Sequence, residues 1–242
     1  MRCRPVSFIA LIAISLASSA AVSSVARAAD TYYISPSEID LLHILAPPPT
    51  PDSAAGKADL QGVLAAVNAR TEASIKQAQD DDKRNVFRFA DVMGSNFRTE
   101  NLPLTTQLFQ HVYEDGNAAT LAAKNTFKRM RPFVVDPEIK IIVVQPPDFS
   151  YPSNHSTFGN EAGILLADMV PESAVAIFAR AAAYAHNRVV AGVHFPTDVE
   201  AGHIAASVID NTLLHNPRFE ADFARAKAEV RAALGLAAAA NQ

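Results

Sequence analysis

The chain of 242 residues contains one cysteine, Cys3. No internal disulfide can form, and no cluster of thiolates can hold a zinc ion. Basic charge is also short, with 21 Lys and Arg against 25 Asp and Glu. That balance argues against nucleic acid or an anionic membrane surface as the main partner, so an anionic ligand would need a local basic pocket. Only 9 glycines occur. Beyond Ala28 no run of about 18 uncharged apolar residues is present, which predicts no transmembrane segment there.

The opening residues read as an address rather than as part of a fold. Arg2 and Arg4 precede an apolar run from Val6 to Leu16, and Ala26-Arg27-Ala28 supplies small residues of the kind a signal peptidase reads. The expectation is a signal peptide over residues 1–28, cleaved on export to the periplasm or beyond. An uncleaved anchor is the weaker reading, because the run is shorter than the roughly 20 residues a bilayer span needs. Arg2 and Arg4 are not adjacent, which speaks against a twin-arginine signal. Cleavage removes Cys3 and three arginines from the 21 bases, leaving 18 basic against 25 acidic residues, a formal −7. Residues 29–242 are long enough for one domain with a full core.

Along that domain the patterning is helical. Ser35, Pro36 and Glu38 form a capping-box start, and the proline run from Pro47 to Pro51 breaks the short helix that follows. This run is expected to lie over the domain as an extended segment. Leu60, Val63, Leu64, Val67 and Ile75 predict a helix from about 58 to 79, left at Asp80-Asp81-Asp82. A second helix is expected from Pro103 to near Arg131. Residues 138–144, "EIKIIVV", read as an extended connection in preference to a lone strand. Further helices are expected over about 156–169, 172–191, 198–215 and 217–234. The fold class is therefore all-α, a single-domain bundle of six or more helices.

Three patches break this blandness. In "KNTFKRMRP", Lys124 and Arg131 are two helical turns apart and would leave one face about 10 Å apart along the axis, with Pro132 stopping the helix. Lys128 would share that face, and a solvated basic face explains the patch without any function. In "YPSNHS", Ser153, Asn154 and His155 stand at an expected helix N-terminus, where free N–H groups and the macrodipole favour an anion. In "RVVAGVHFPTDVEAGH", His194 lies in a tight connection after Gly192, and Thr197 with Glu200 offers a capping box. Asp198 can accept the Nδ1 proton of His194 and leave Nε2 as a nucleophile or base, while Arg188 ends the preceding helix. Cations, a helix-start nest and two histidines make the inventory for phosphoryl transfer through a phosphohistidine, with no metal and no cofactor.

The internal spacings, Lys124-x6-Arg131-Pro132, Pro152-Ser153-x-His155 and Arg188-x5-His194-x3-Asp198, resemble the three-part signature of the type 2 phosphatidic acid phosphatase (PAP2) superfamily, shared with vanadium haloperoxidases. "LLHILAPPPTPDS", the pair Glu114-Asp115 and "GVHFPTDVEAG" further resemble the bacterial class A nonspecific acid phosphatases. The resemblance implies a PAP2/haloperoxidase-type bundle that hydrolyses small phosphomonoesters. It implies His194 as nucleophile, Asp198 as its orienting partner and His155 as the acid that protonates the leaving alcohol. Lys124, Arg131 and Arg188 would hold the phosphate oxygens, helped by Ser153 and the Asn154 N–H. Asn154 stands where the family usually has glycine, and Asn187 where it commonly has serine; the Asn154 amide is expected to intrude on the phosphate pocket. A vanadate-dependent peroxidase, a soluble lipid phosphate phosphatase and a noncatalytic phosphate binder are the competing readings. The sequence leaves a homo-oligomer open.

Overall fold

Serine, threonine and asparagine side chains cap the starts of four of the longer helices among the described residues. Ser53 Oγ accepts from Gly56 N–H, Thr71 Oγ1 from Ser74, Ser153 Oγ from Ser156 and Asn216 Oδ1 from Phe219. The computed structural model describes residues 31–237, so the expected signal peptide lies outside the described residues. These form seven longer helices: α1 (Ala54–Asn68), α2 (Glu72–Asp80), α3 (Pro103–Phe127), α4 (Asn154–Met169), α5 (Ala174–Val190), α6 (Pro196–Leu213) and α7 (Pro217–Ala233). Short helical turns at Leu41–Ile44, Ala90–Met93 and Pro132–Val135 join them. No strand occurs among the described residues, and residues 138–144 run as the extended connection. No described helix is long and apolar enough to cross a membrane.

The order of burial explains the architecture. In α4, 12 of its 16 residues are buried, more than one helical face can supply, so α4 is the central helix. It packs chiefly against α5 and α6, while α7 closes over α3. Along α5, Ile177, Ala181 and Tyr184 recur at helical spacing on the buried side, and Arg188 continues the stripe at 1% exposure. The core-facing stripe of α5 thus delivers a cation into the interior. The capping box at Ser35 is present, and the proline run is tied down where Tyr151 Oη donates to the Ala46 carbonyl at 2.5 Å.

Three boundaries differ from the periodicity. The helix expected over 58–79 is two helices, because Thr71 caps a new start and Arg70 turns away to donate to the carbonyls of Val190 (2.8 Å) and Lys140 (2.7 Å). The helix expected to reach Arg131 stops at Phe127, with Lys128 in the left-handed region at φ 47°. Lys124 and Arg131 therefore do not share a helix face; Arg131 precedes a separate turn, Pro132–Val135. Last, α6 starts at Pro196 with no cap from Thr197, whose N–H and hydroxyl both go to Asp59. Asp198 takes the third-residue role instead, its Oδ2 accepting from Phe195 N–H at 2.8 Å.

Candidate active site

The left-handed Lys128 reverses the chain after α3, and this reversal brings Arg131 back beside Lys124. Lys124 Nζ donates to the Phe149 carbonyl at 2.5 Å and lies 3.3 Å from Asp148 Oδ2. Arg131 donates to the Asp148 carbonyl through Nε (2.8 Å), to Asp148 Oδ1 through Nη2 (2.5 Å) and to the Val193 carbonyl through Nη1 (2.7 Å). Two cations from separate elements thus converge on one loop, 146–150. Burial pushes the Lys124 ammonium down to about 8, against the pull of Asp148. Both pKa values fall, which favours the neutral form of Lys124 but the charged form of Asp148. Lys124 is 1% exposed and desolvation dominates, whereas the carboxylate of Asp148 is 32% exposed, and there Lys124 and Arg131 outweigh burial and hold its pKa low.

His194 lies where Gly192, at φ 79°, turns the chain out of α5; a Cβ at Gly192 would meet Ile139 Cγ2 at 2.9 Å. Its Nε2 accepts from Arg131 Nη1 at 3.1 Å, and its Nδ1 is 3.3 Å from Asp198 Oδ2. That network assigns the proton to Nδ1 and the lone pair to Nε2. Burial depresses the His194 pKa well below the ordinary imidazole range, and Arg131, Lys124 and Arg188 add to the effect. The imidazole is therefore neutral, as attack through Nε2 requires.

Behind His194 stands a set of residues that the sequence reading passed over. Asp198 is fully buried and accepts from Arg129 Nη1 (2.6 Å) and Ser150 Oγ (2.6 Å). Arg129 is itself held by Asp59 Oδ2 at 2.6 Å and lies 4.0 Å from the centre of the Phe195 ring. An acid at position 59, four residues before Val63 on the apolar stripe of α1, was the available signal. Arg129 was hidden inside a patch already explained by its neighbours.

His155 sits in the first turn of α4, and its Nε2 donates to the Asp82 carbonyl at 2.9 Å. Arg188 Nη1 donates to the Asp82 carboxylate at 2.8 Å, while Arg188 Nε is buried without a hydrogen-bond partner. The DDD run is thus an anchor: Asp81 takes two hydrogen bonds from Arg180 (2.6 and 3.0 Å) and one from Asn187 (2.8 Å), fixing Asp82 against the histidine. Burial, then the charge of Arg188, lowers the pKa of His155 well below the usual value.

Lys124, Arg131, Arg188, His155, His194 and Asn154 line one cavity of about 390 Å³. Asp198 stands behind His194 rather than on this wall. Ser153 is also set back, its Oγ capping α4 and its N–H donating to the Asp198 carbonyl at 3.0 Å. The Asn154 amide does reach the cavity, donating to Asn117 Oδ1 at 2.7 Å. Asn187 turns away to Asp81. Among the described residues no group of three His, Cys, Asp or Glu could hold a metal ion.

Residues 112–220, which carry all three patches, match the PAP2 superfamily. The chain is 31% identical over 210 residues to a non-specific acid phosphatase of Providencia stuartii, covering 83% of this chain and 85% of that one. It is 28% identical to a non-specific acid phosphatase of Salmonella typhi, over 77% of this chain and 78% of the relative. Its fold is similar to that of a bacterial vanadium-dependent iodoperoxidase, with a TM-score of 0.55 at 20% identity over 71% of this chain. The chain spans about half that enzyme's length, 52%.

Proposed function

The chain belongs to the PAP2 superfamily, and we propose that it is an exported, periplasmic acid phosphatase that hydrolyses phosphomonoesters through a covalent phosphohistidine without a metal. The observation that carries the reading is the placement of His194, its Nδ1 beside Asp198, its Nε2 beside Arg131, in the wall of a cavity shared with three cations and a second histidine.

In this reading the ester's phosphoryl group displaces the Asp148 and Asp82 carboxylates from Lys124, Arg131 and Arg188, whose buried Nε gains an acceptor. The first N–H groups of α4, at Asn154 and His155, lack intrahelical partners and face the same charge. Arg131 Nη1 turns from Nε2 of His194 to a phosphoryl oxygen, the freed lone pair of Nε2 forms a bond to phosphorus as the phosphorus–oxygen bond to the alcohol breaks, and His155 gives its proton to that oxygen. The positive charge then on His194 is balanced by Asp198. Water next attacks phosphorus, His155 takes its proton, and the nitrogen–phosphorus bond breaks to release phosphate.

The test is a chelator-treated sample assayed with p-nitrophenyl phosphate, in parallel with bromide, peroxide and vanadate. We expect phosphatase turnover without metal, inhibition by vanadate competitive with substrate, and no halide oxidation. Replacing His194 by Ala should lower kcat by about a thousandfold or more and abolish the alkali-stable, acid-labile phosphoprotein trapped during turnover. Activity restored only by added zinc or magnesium, or a labelled phosphoprotein in the Ala variant, would remove this mechanism.

A further inference from the structure

The cavity is several times larger than one phosphoryl group, and its charge is not used up by the cradle. Four cations line it, Lys124, Arg131, Arg188 and Arg84, against two carboxylates, Asp148 and Asp82. Asp148 is paired with Lys124 and Arg131, and Asp82 with Arg188. Arg84 remains: it is exposed, and no carboxylate among the described residues lies within ion-pair distance of it. It is nevertheless placed, since its guanidinium stacks 4.8 Å from the centre of the Tyr113 ring, which in turn packs edge-on against Phe158 of α4. It lies on the side of the departing group, two residues after Asp82, whose carbonyl accepts from His155 Nε2, and all three residues line the cavity. The same cavity is also lined by a neutral polar group, the Asn117–Asn154 amide pair, and Asn154 Oδ1 is buried without a hydrogen-bond partner.

We propose that Arg84, backed by Tyr113, binds a second anionic group carried by the alcohol half of the substrate. The inference rests on the phosphatase reading of the site and narrows its substrate class. Preferred substrates are phosphomonoesters whose leaving portion bears a carboxylate or a further phosphate, and esters with a neutral alcohol bind less well. The cation–π contact holds the guanidinium ready at the rim, and the amide pair offers both a donor and an acceptor to the hydroxyls that separate the two anions.

A matched pair of substrates isolates the effect. Glycerol 3-phosphate and 3-phosphoglycerate differ in having a hydroxymethyl or a carboxylate at the far carbon. The unmodified protein should show the higher kcat/KM for 3-phosphoglycerate. In R84Q the ratio of the two values should fall by about threefold or more, as expected for an exposed charge pair, and in R84E it should fall further. Added salt should lower the ratio in the unmodified protein and leave it nearly flat in R84Q. Inorganic pyrophosphate and a hexose bisphosphate then separate an anion attached directly to the reacting phosphorus from one several bonds away. A ratio equal in the unmodified protein, R84Q and R84E would overturn the proposal. Should p-nitrophenyl phosphate not be turned over at all, the phosphatase reading fails separately. Calorimetric binding of the same two ligands to the three proteins then decides on Arg84, with equal affinity ratios again overturning it.

Discussion

At the scale of single residues, the site sets two histidines opposite demands. His194 must be neutral to attack, and His155 must hold a proton to release the alcohol. Burial and the surrounding cations depress both, which suits His194 in the free protein and leaves His155 uncharged. Burial is the first cause of the His155 shift and the charge of Arg188 the second; a bound phosphate dianion offsets the charge of Arg188, so substrate binding raises that pKa and favours the protonated acid. Activity should therefore be lost as pH rises through the liganded pKa of His155 and lost again as pH falls far enough to protonate His194. This places the optimum on the acid side of neutrality, with apparent values belonging to the coupled pair. Replacing His155 by Ala tests the assignment through the leaving group. A p-nitrophenolate needs little help to depart, so its kcat should drop by at least about tenfold less than that of an alkyl phosphate, and the alkaline limb should flatten for the aryl substrate. Equal losses on both would make His155 a residue of binding or structure.

At the scale of elements, the geometry depends on how closely three helix ends meet. Gly202 of α6 lies against the start of α4, and a Cβ there would meet the Ser153 carbonyl oxygen at 2.7 Å and Ser156 Cβ at 2.7 Å. A backbone carbonyl in the first turn cannot swing aside, so replacing Gly202 by Ala should part α4 from α6, stretching the Ser153–Asp198 backbone bond. Overpacking of this kind costs about 1–3 kcal/mol. The expected result is a Tm lower by several degrees together with a kcat/KM down by about tenfold, read by thermal melts and by kinetics. A loss of stability at undiminished kcat/KM would show that the cradle does not depend on this contact. The same elements show what a sequence makes legible. Apolar spacing and terminal prolines placed α4, α5, α6 and α7 to within a few residues, because burial and capping are local signals. The signature residues Lys124, Arg131, Arg188, His155 and His194 do meet in one cavity. The route was not legible: nothing in "TFKRMR" announces a left-handed lysine, so the spacing alone puts Arg131 on the face of a helix that ends before it. Asp59, Arg129, Ser150 and Asp148 escaped notice for a related reason. Each acts through a partner 17 to 138 residues away, and apart from the acid that Asp59 sets on an apolar stripe, pairing over such separations leaves no periodic trace.

At the scale of the whole molecule, the core itself carries acid chemistry that the active site does not use. Glu161 of α4 and Asp210 of α6 are each 1% exposed, and all four of their carboxyl oxygens lack hydrogen-bond partners. Burial raises both pKa values well above the ordinary range; the charge of Asp115 of α3 adds to the effect on Glu161, and Glu161 adds to the effect on Asp210. Asp115 differs because it accepts the N–H groups of Tyr32, Tyr33 and Ile34 and thereby pins the start of the described chain to α3. For Glu161 and Asp210 the folded protein binds protons more tightly than the unfolded chain, whose carboxyls titrate near pH 4. Stability is then greatest below about pH 4 as far as this pair is concerned, and falls as pH rises toward the raised folded values, the reverse of a salt-bridged carboxylate. Removing the ionisable proton while keeping the shape should cancel that fall. Replacing Glu161 by Gln, or Asp210 by Asn, should raise Tm at pH 8 by about 2–4 °C for each kcal/mol of charge penalty relieved, a penalty on the order of 1–3 kcal/mol. The same variants should melt within about a degree of the unmodified protein at pH 4, where both carboxyls are already neutral. Melting curves across that pH range decide the point. A shift of the same size at both pH values would mean the substitutions act through packing, and a lower Tm at pH 8 would mean the pair is ionised and compensated in the folded core.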